Sequence, residues 1–326
     1  MIYNMPEYWL MKNAELTEPY LTFSSHSSFT LEVNDATKHW DGTLEYSTDT
    51  STWSAWDGTT TLSSAMSGNK DVLYLRGTGN TVIGGNTGDA SWALTGSDIA
   101  CVGNIETLLD YATVESGKHP TMANYCYASL FLGCHSLTQA PALPATTLSD
   151  YCYKAMFGDC TSLAIAPALP ATELKASCYS SMFSGCTSLI QAPDLPATTL
   201  ANYCYSSMFY RCTSLIKAPA LPSTTLANNC YQSMFQSCTS LIQVPALPAT
   251  KLVNYCYRYM FRGCTRLKLS STKTGEYMQE YRIPITGTGT TKSTALSNMF
   301  TSTGGTFTGT PKINTTYYLS NTNTVV

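Results

Sequence analysis

Among the residue types of this 326-residue chain, the thirteen cysteines are the strongest candidates for chemical reactivity, because they are numerous and regularly spaced. Thiolates attack electrophiles, bind zinc and form disulfides. After Cys101, the separations alternate between 8 and 18 residues, so a unit of 26 residues recurs six times. A fixed period of about 20–50 residues is typical of repeat proteins. The cysteines occupy positions 101, 126, 134, 152, 160, 178, 186, 204, 212, 230, 238, 256 and 264.

The spacing argues against reactive or metal-bound cysteines. If the segment between the two cysteines of a unit is helical, their sulfurs lie ~12 Å apart, which is too far for a disulfide. Equivalent cysteines of stacked units would be ~4.8 Å apart, so disulfides between units remain an alternative. C-x7-C does not match zinc spacing. We expect buried, reduced core residues in two ladders, with no metal and no cofactor.

Each unit predicts one short helix and one short strand. The apolar residues of one unit follow at i, i+1, i+4, i+5 and i+8, which places them within an arc of about 140° on a helix. An extended stretch begins at Leu215, and Pro219 and Pro222 can only end or flank a strand. Such a unit must stack on its neighbours to bury its apolar face. The five apolar residues are Cys204, Tyr205, Met208, Phe209 and Cys212.

The unit pattern C-Y-x-x-M-F-x-x-C-x-S-L-x-x-A-P-x-L-P-A-T-x-L resembles the leucine-rich repeats of BspA-like bacterial surface proteins. The resemblance covers residues 120–270, although repeats of that family are usually shorter and carry Ala-Phe in place of Met-Phe. It implies a stacked solenoid used in adhesion or recognition, without catalytic residues. Similar repeats also occur in phage fibre-type proteins.

The N-terminal third contains no repeat unit but holds all five tryptophans. Strands are predicted over Phe29–Val33, Thr43–Tyr46 and Val72–Arg76, with Gly-containing turns between them. Several short strands in this length favour a small β-sandwich of immunoglobulin-like architecture. Three tryptophans either pack in its core or form a platform on which a sugar stacks: Trp40, Trp53 and Trp56.

The predicted fold class is therefore α+β, with a small immunoglobulin-like β-sandwich followed by a leucine-rich-repeat solenoid of one helix and one strand per unit. Ala295–Phe300 repeats the apolar stripe once more in degenerate form. The predicted segments are an N-terminal lead (1–17), a β-sandwich (18–98), a solenoid cap (99–123), six repeats (124–268), and an insertion, last unit and β cap (269–326).

Motifs of known enzymes are not convincing in this chain. Leu195–Thr199 reads LPATT and resembles the sortase signal LPxTG, but its fifth residue is threonine and its copies recur within the repeat. Gly287–Ser293 resembles a phosphate-binding loop, but Thr291 stands where glycine must precede the lysine. Paired carboxylates and metalloprotease motifs are not visible. We expect a protein that is not an enzyme.

Charge is sparse and unevenly distributed. Charged residues make up 12% of the chain, and the net charge is −3. Residues 1–150 hold 16 acidic and 5 basic residues (−11), whereas residues 151–326 hold 5 and 13 (+8). Such a polarised molecule can form homo-oligomers head to tail or dock on an anionic surface; no nucleic-acid motif accompanies the charge. A basic patch is predicted from Arg258, Arg262, Arg266, Lys268 and Lys273.

The repeat register predicts a ladder of side chains at one outward strand position. Leucine-rich repeats usually bind ligands through this face, so the resemblance implies that these side chains contact a ligand. The ladder consists of Gln139, Ile165, Gln191, Lys217 and Gln243.

The N-terminus shows neither the basic nor the apolar region of a secretory signal, and no apolar run reaches the ~18–20 residues of a membrane span. We therefore expect a recognition protein on a phage virion, a tail or head fibre, folded in the cytoplasm. It would bind a glycan or protein of the host surface and other virion proteins through its N-terminal domain. The alternatives are a BspA-like bacterial adhesin on the cell surface and a cytoplasmic interaction scaffold.

Overall fold

The computed structural model describes residues 19–35, 38–84 and 91–326, so the predicted lead segment 1–17 lies outside the described residues. One helix, α1 (Thr107–Glu115), lies between β9 and β10 in the chain. The strands are β1 (Leu21–Ser25), β2 (Thr30–Val33), β3 (Thr43–Ser47), β4 (Ser54–Trp56), β5 (Leu62–Ser63), β6 (Ala65–Ser67), β7 (Lys70–Thr78), β8 (Trp92–Thr95), β9 (Ile99–Val102), β10 (Leu137–Gln139), β11 (Gln243–Val244), β12 (Lys268–Ser270), β13 (Tyr277–Arg282), β14 (Gly304–Gly305), β15 (Thr316–Ser320) and β16 (Thr324–Val325).

Two sheets make up the N-terminal part. The larger sheet has the order β10-β9-β1-β7-β3-β4, with β6 paired to β7, and the smaller has the order β5-β2-β8. The three strands predicted there are confirmed, with ends shifted by up to two residues. Trp56 of the larger sheet packs on Trp92 of the smaller, with ring centroids 5.6 Å apart, so apolar residues of both sheets share one core.

The predicted fold class is wrong. The regular structure is almost all strand, divided among four sheets, and α1 is the only helix among the described residues. The repeat units do not close into helix-and-strand coils. Residues 204–212, predicted as a helix, form a run of turns.

Backbone geometry explains why a helix does not form in the repeat. Every fourth residue adopts a left-handed conformation, as at Tyr203 (φ 60°), Ser207 (φ 56°) and Arg211 (φ 61°), whereas an α-helix needs negative φ throughout. The apolar spacing i, i+1, i+4, i+5, i+8 fits a period of four as well as one of 3.6 over nine residues. The sequence pattern therefore did not distinguish a helix from a succession of four-residue turns.

Backbone N–H groups of this turn segment alternate between two kinds of acceptor. The N–H of Ser206 donates to the carbonyl three residues back, at Tyr203 (3.0 Å), and the next N–H, of Ser207, donates to Gln232 of the following unit (2.8 Å). The same alternation recurs in every unit. Half of these N–H groups thus form hydrogen bonds within turns of their own unit, and the other half form hydrogen bonds to the neighbouring unit.

Identical side chains of successive units stack on each other in columns. The rings of one phenylalanine column lie 5.6–5.8 Å apart and within about 10° of parallel. A tyrosine column has ring separations of 5.5–5.9 Å. Such offset stacking adds to the free energy gained by burying the rings. The phenylalanines are Phe131, Phe157, Phe183, Phe209, Phe235, Phe261 and Phe300.

Residues 81–84 and 91–105 of the N-terminal part form the layer on which the first repeat unit stacks. The N–H of Ile83 donates to Cys126 (2.8 Å) and that of Trp92 donates to Leu130 (2.7 Å), as a preceding unit would. Strand β9 then pairs in parallel with β10. The N-terminal part and the repeat therefore share one continuous hydrogen-bonded core, although the segment boundary was predicted at residue 98.

The C-terminal residues cover the other end of the stack. Phe300 of the degenerate last unit stacks on Phe261 at 5.6 Å, and its N–H donates to Gly309 (2.8 Å). A sheet of order β13-β15-β12-β14 follows. Strand β16 pairs with β11, and the side chain of Asn323 bonds the carbonyls of Ile242 and Arg266 at 3.2 and 3.1 Å.

Candidate functional site

The predicted ladder is a continuous backbone feature. Isolated parallel bridges join its members in sequence, from Gln139 through Gln243, and Gln243 then pairs with Thr324 of β16. Parallel strands lie about 4.8 Å apart, so equivalent side chains follow each other at that interval. The bridged residues are Gln139, Ile165, Gln191, Lys217 and Gln243.

Each unit presents two adjacent residues at this position, between a buried leucine and an alanine or valine that is buried in every unit but the first. In one unit, Leu189 and Ala192 are buried, whereas Ile190 and Gln191 are exposed. Ile190 and Ile216 expose 55% and 40% of their surface, which is unusual for isoleucine. We call the ladder together with Ile190, Ile216 and Ile242 the ladder strip.

Backbone hydrogen bonds between successive units also join Ile190, Ile216 and Ile242, the three isoleucines beside the ladder. The N–H of Ile216 donates to Ile190 (3.2 Å), and the N–H of Ile242 donates to Ile216 (3.0 Å). The row is thus rigidly spaced along the stack. Sequence reasoning missed it, although isoleucine at the same register position in three successive units is a readable signal.

The five predicted basic residues have different environments. Arg258 lies over the rings of Tyr255 and Tyr259, at 5.0 and 4.5 Å, and Arg262 lies 5.3 Å from Tyr259. Hydrogen bonding from Arg258 lowers the pKa of Tyr259.

The remaining basic residues do not join this aromatic cluster through any recorded contact. Lys268 belongs to β12 and is half-buried, and Lys273 faces Glu280 at 4.0 Å. Arg266 is exposed. Among the described residues, none of the three arginines of the predicted patch (258, 262 and 266) forms an ion pair.

The three predicted tryptophans do not form one platform. Trp40 and Trp56 are 4% and 3% exposed and pack against each other at 5.2 Å in the core. Trp53 instead lies 4.0 Å from the guanidinium of Arg76, which also binds Glu45 at 2.7 Å. The cation on its face leaves that ring no free stacking surface on that side.

All thirteen cysteines are free and buried, as predicted for their burial. Burial raises the pKa of Cys152 to about 12 and that of Cys256 to about 11. From Cys160 onward, the second cysteine of each unit donates its S–H to the phenylalanine carbonyl of the previous unit, as Cys186 does to Phe157 at 3.1 Å. In the first unit, Cys134 donates to the carbonyl of Trp92 at 3.1 Å. These thiols are packing groups and weak donors, with little thiolate character.

Within residues 19–35, 38–84 and 91–326, no three His, Cys, Asp or Glu side chains gather as metal ligands would. The same part of the chain contains no helix with the length and hydropathy needed to cross a bilayer.

A second grouping of polar residues lies outside the sequence predictions. Glu106, which is buried, accepts a hydrogen bond from Nδ1 of His119 at 2.7 Å, at the edge of a cleft beside the first repeat unit. The two residues are 13 positions apart and belong to no motif, so the pair could not be recognised from the sequence.

The structure thus presents an exposed strip along the repeat, an arginine–tyrosine cluster near its C-terminal end, and a cleft at its N-terminal end. Neither a family model, nor a curated protein, nor a solved structure matches this chain.

Proposed function

We propose that this chain is a non-enzymatic recognition protein that binds a surface ligand through the ladder strip. The ligand is a protein or glycan of a host or bacterial surface, and the setting is the exterior of a phage virion, as part of a tail or head fibre. A bacterial surface adhesin, as the BspA-like resemblance suggests, is the alternative. A cytoplasmic interaction scaffold is the third candidate.

The exposed pair Ile190 and Ile216, beside the exposed ladder residues of the same two units, is the observation that carries the proposal. Contiguous exposed apolar residues rimmed by polar ones mark interaction surfaces on folded proteins. Ile190 and Ile216 meet this description, because Gln191 and Lys217 flank them and are also exposed. An apolar row bordered by amide and ammonium donors favours a protein ligand over an unsubstituted glycan.

Rigidity supports the same conclusion. The strip is fixed by backbone bonds between units, so little conformational entropy is lost when it binds an extended ligand. Its side chains repeat at one interval, which suits a ligand that is itself extended or periodic.

Binding of fluorescently labelled protein to intact cells, measured by flow cytometry, tests the role of the strip. We expect the double variant Ile190→Asp, Ile216→Asp to lose at least about tenfold in affinity, because both apolar contacts become charged. The pair Gln191→Ala, Lys217→Ala should weaken binding less. Thr198→Ala with Thr224→Ala, exposed positions of the same two units, is the matched control. Unchanged binding by both strip variants contradicts the proposal.

Immunogold electron microscopy separates the three settings. Label on virions from a lysate supports the fibre, label on whole uninfected cells supports the adhesin, and label confined to the cytosol supports the scaffold.

A further inference from the structure

A cleft lies between the start of α1, the segment 119–122 and the turn 145–149 of the first repeat unit. Its volume is about 390 Å³. This lies within the range of about 300–1,000 Å³ that is typical of small-molecule sites. The cleft is separate in sequence from the residues of the ladder strip.

A buried carboxylate lies at this cleft. Glu106 is only 1% exposed, yet it lines the cleft. Its Oε2 accepts a hydrogen bond from Nδ1 of His119 at 2.7 Å. Among the described residues, no side chain or backbone group donates a hydrogen bond to Oε1. Oε1 is not among the side-chain atoms that are closed off from solvent without a partner, so it faces the cleft, where a hydroxyl group of a ligand can donate to it.

His119 and three threonines supply the other hydrogen-bonding groups that a ligand in the cleft would contact. The side chain of His119 is 54% exposed, and its Nδ1 bond to Glu106 fixes the ring, leaving Nε2 for a ligand. Thr121, Thr146 and Thr147 line the cleft and are exposed, and their hydroxyls form no hydrogen bond within the described residues. They can donate or accept.

This lining selects a ligand with many hydroxyl groups. A carboxylate repels anions, and a simple ammonium ion only donates, so it offers no acceptor to the threonine hydroxyls. Catalysis has little support, because the hydroxyl of Ser149 already donates to the carbonyl of Met122 at 2.5 Å. We propose that the cleft binds one neutral sugar unit, whose hydroxyls donate to Glu106 and exchange hydrogen bonds with the threonines and with Nε2 of His119.

Saturation-transfer NMR on the full chain tests the proposal, with glucose, galactose and N-acetylglucosamine as probes and methylammonium and methyl phosphate, whose methyl protons report binding, as comparisons. We expect transfer to at least one sugar and none to methyl phosphate. Transfer to methylammonium alone, or to no probe, overturns the proposal.

A cleft-filling variant locates the site. Thr147→Trp should abolish the sugar signal, because the indole occupies the cleft. Thr225→Trp, at the same register position three units further along and also exposed, should leave it unchanged. Both positions are on the surface, so the variants are expected to fold, and circular dichroism checks this. Equal signals from the two variants contradict the proposal.

Removal of the buried charge tests the role of Glu106. Glu106→Gln keeps the shape but replaces the carboxylate, so sugar affinity should fall about tenfold, with the thermal unfolding midpoint measured alongside. The strip variant Ile190→Asp, Ile216→Asp should bind the sugar normally, so failure of the sugar site and failure of the proposed function are distinguishable.

Discussion

The cysteines act in this molecule through their size and their neutrality. Each second cysteine of a unit, such as Cys186, combines full burial with an S–H donated to a backbone carbonyl of the previous unit. Alanine would leave a cavity there, and serine would bring a more polar group into the same apolar site. Two ladders of thiols therefore fill the interior, and their protonation is tied to folding.

The raised thiol pKa values predict steep loss of stability in alkali. An unfolded cysteine titrates near pH ~8.5, whereas burial holds the pKa of Cys152 at about 12 and that of Cys256 at about 11. Between about pH 8.5 and 11 the unfolded chain releases protons that the folded chain keeps, so the free energy of unfolding falls as pH rises, by about 1.4 kcal/mol per pH unit for each fully titrating thiol. Urea unfolding at a series of pH values measures the slope. A free energy that is flat from pH 8 to 10 contradicts this account.

At the scale of elements, the four-residue turns of the repeat are the part of the fold that was predicted incorrectly, since the apolar spacing indicated a helix. Left-handed positions in the repeat carry Tyr, Ser, Ala, Asp, Arg, Asn or Gly and no β-branched residue. Threonine, valine and isoleucine are avoided there, since their branched Cβ clashes at positive φ. The absence of β-branched residues at every fourth position was the sequence feature that could have indicated these turns. It is a weaker feature than the apolar spacing, which also fits a helix.

Ser207 tests this reading of the turn. Its φ is 56°, and its side chain makes no recorded hydrogen bond. Ser207→Val should lower the free energy of unfolding by about 1–2 kcal/mol, whereas Ser207→Gly should change it by no more than about 0.5 kcal/mol. Chemical denaturation of both variants measures the difference. Equal stabilities of the two variants would show that φ at this position is not the cause.

Other elements were partly predictable. Strands β2, β3 and β7 follow from alternating apolar residues bounded by turn residues. The layer formed by residues 81–84 and 91–105 was not predictable from the sequence. Ile83 and Trp92 take the places of a tyrosine and a phenylalanine of the repeat, and they lie nine residues apart in the chain, where the repeat has a separation of four. The ladder register was fixed by the period, but the exposure of Ile190 and Ile216 depends on packing that a single sequence does not display.

Asn323 fastens the C-terminal residues to the stack. Its side chain is 1% exposed; it donates to Ile242 and Arg266 and accepts from the N–H of Lys268 at 3.0 Å. Asn323→Ala should lower the free energy of unfolding by about 2–3 kcal/mol, because these backbone groups lose their partner. Asn321→Ala, an exposed neighbour, is the control. Urea unfolding that shows no difference between the two variants would contradict this role.

At the scale of the whole molecule, the stack has two dissimilar ends. Residues 81–84 and 91–105 supply one closing layer, and residues 301–326 supply the other, so polar backbone groups of the terminal units find partners. Stability of such an array is the sum of unit terms and interface terms between neighbours. The interior units, being nearly alike, are interchangeable in position.

Removal of one whole period tests this interchangeability. Deletion of residues 178–203 spans 26 residues and joins Ser177 to Cys204, which restores the repeat pattern. We expect this variant to fold with a cooperative thermal transition. Deletion of residues 178–190 removes half a period, takes every later side chain out of register, and should abolish the transition. Differential scanning calorimetry of both deletion variants measures whether a cooperative thermal transition is present. If both variants show one, or neither does, the stacked arrangement is contradicted.

The hydrogen-bonded register between units also bears on how such a protein can change over generations. Near-identical coding segments in tandem can pair out of step during recombination, and each such event adds or removes a whole period. Because every interior unit offers the same donors and the same column of rings to its neighbours, the gain or loss of a unit leaves both closing layers intact. The length of the exposed strip can thus be inherited as a copy number.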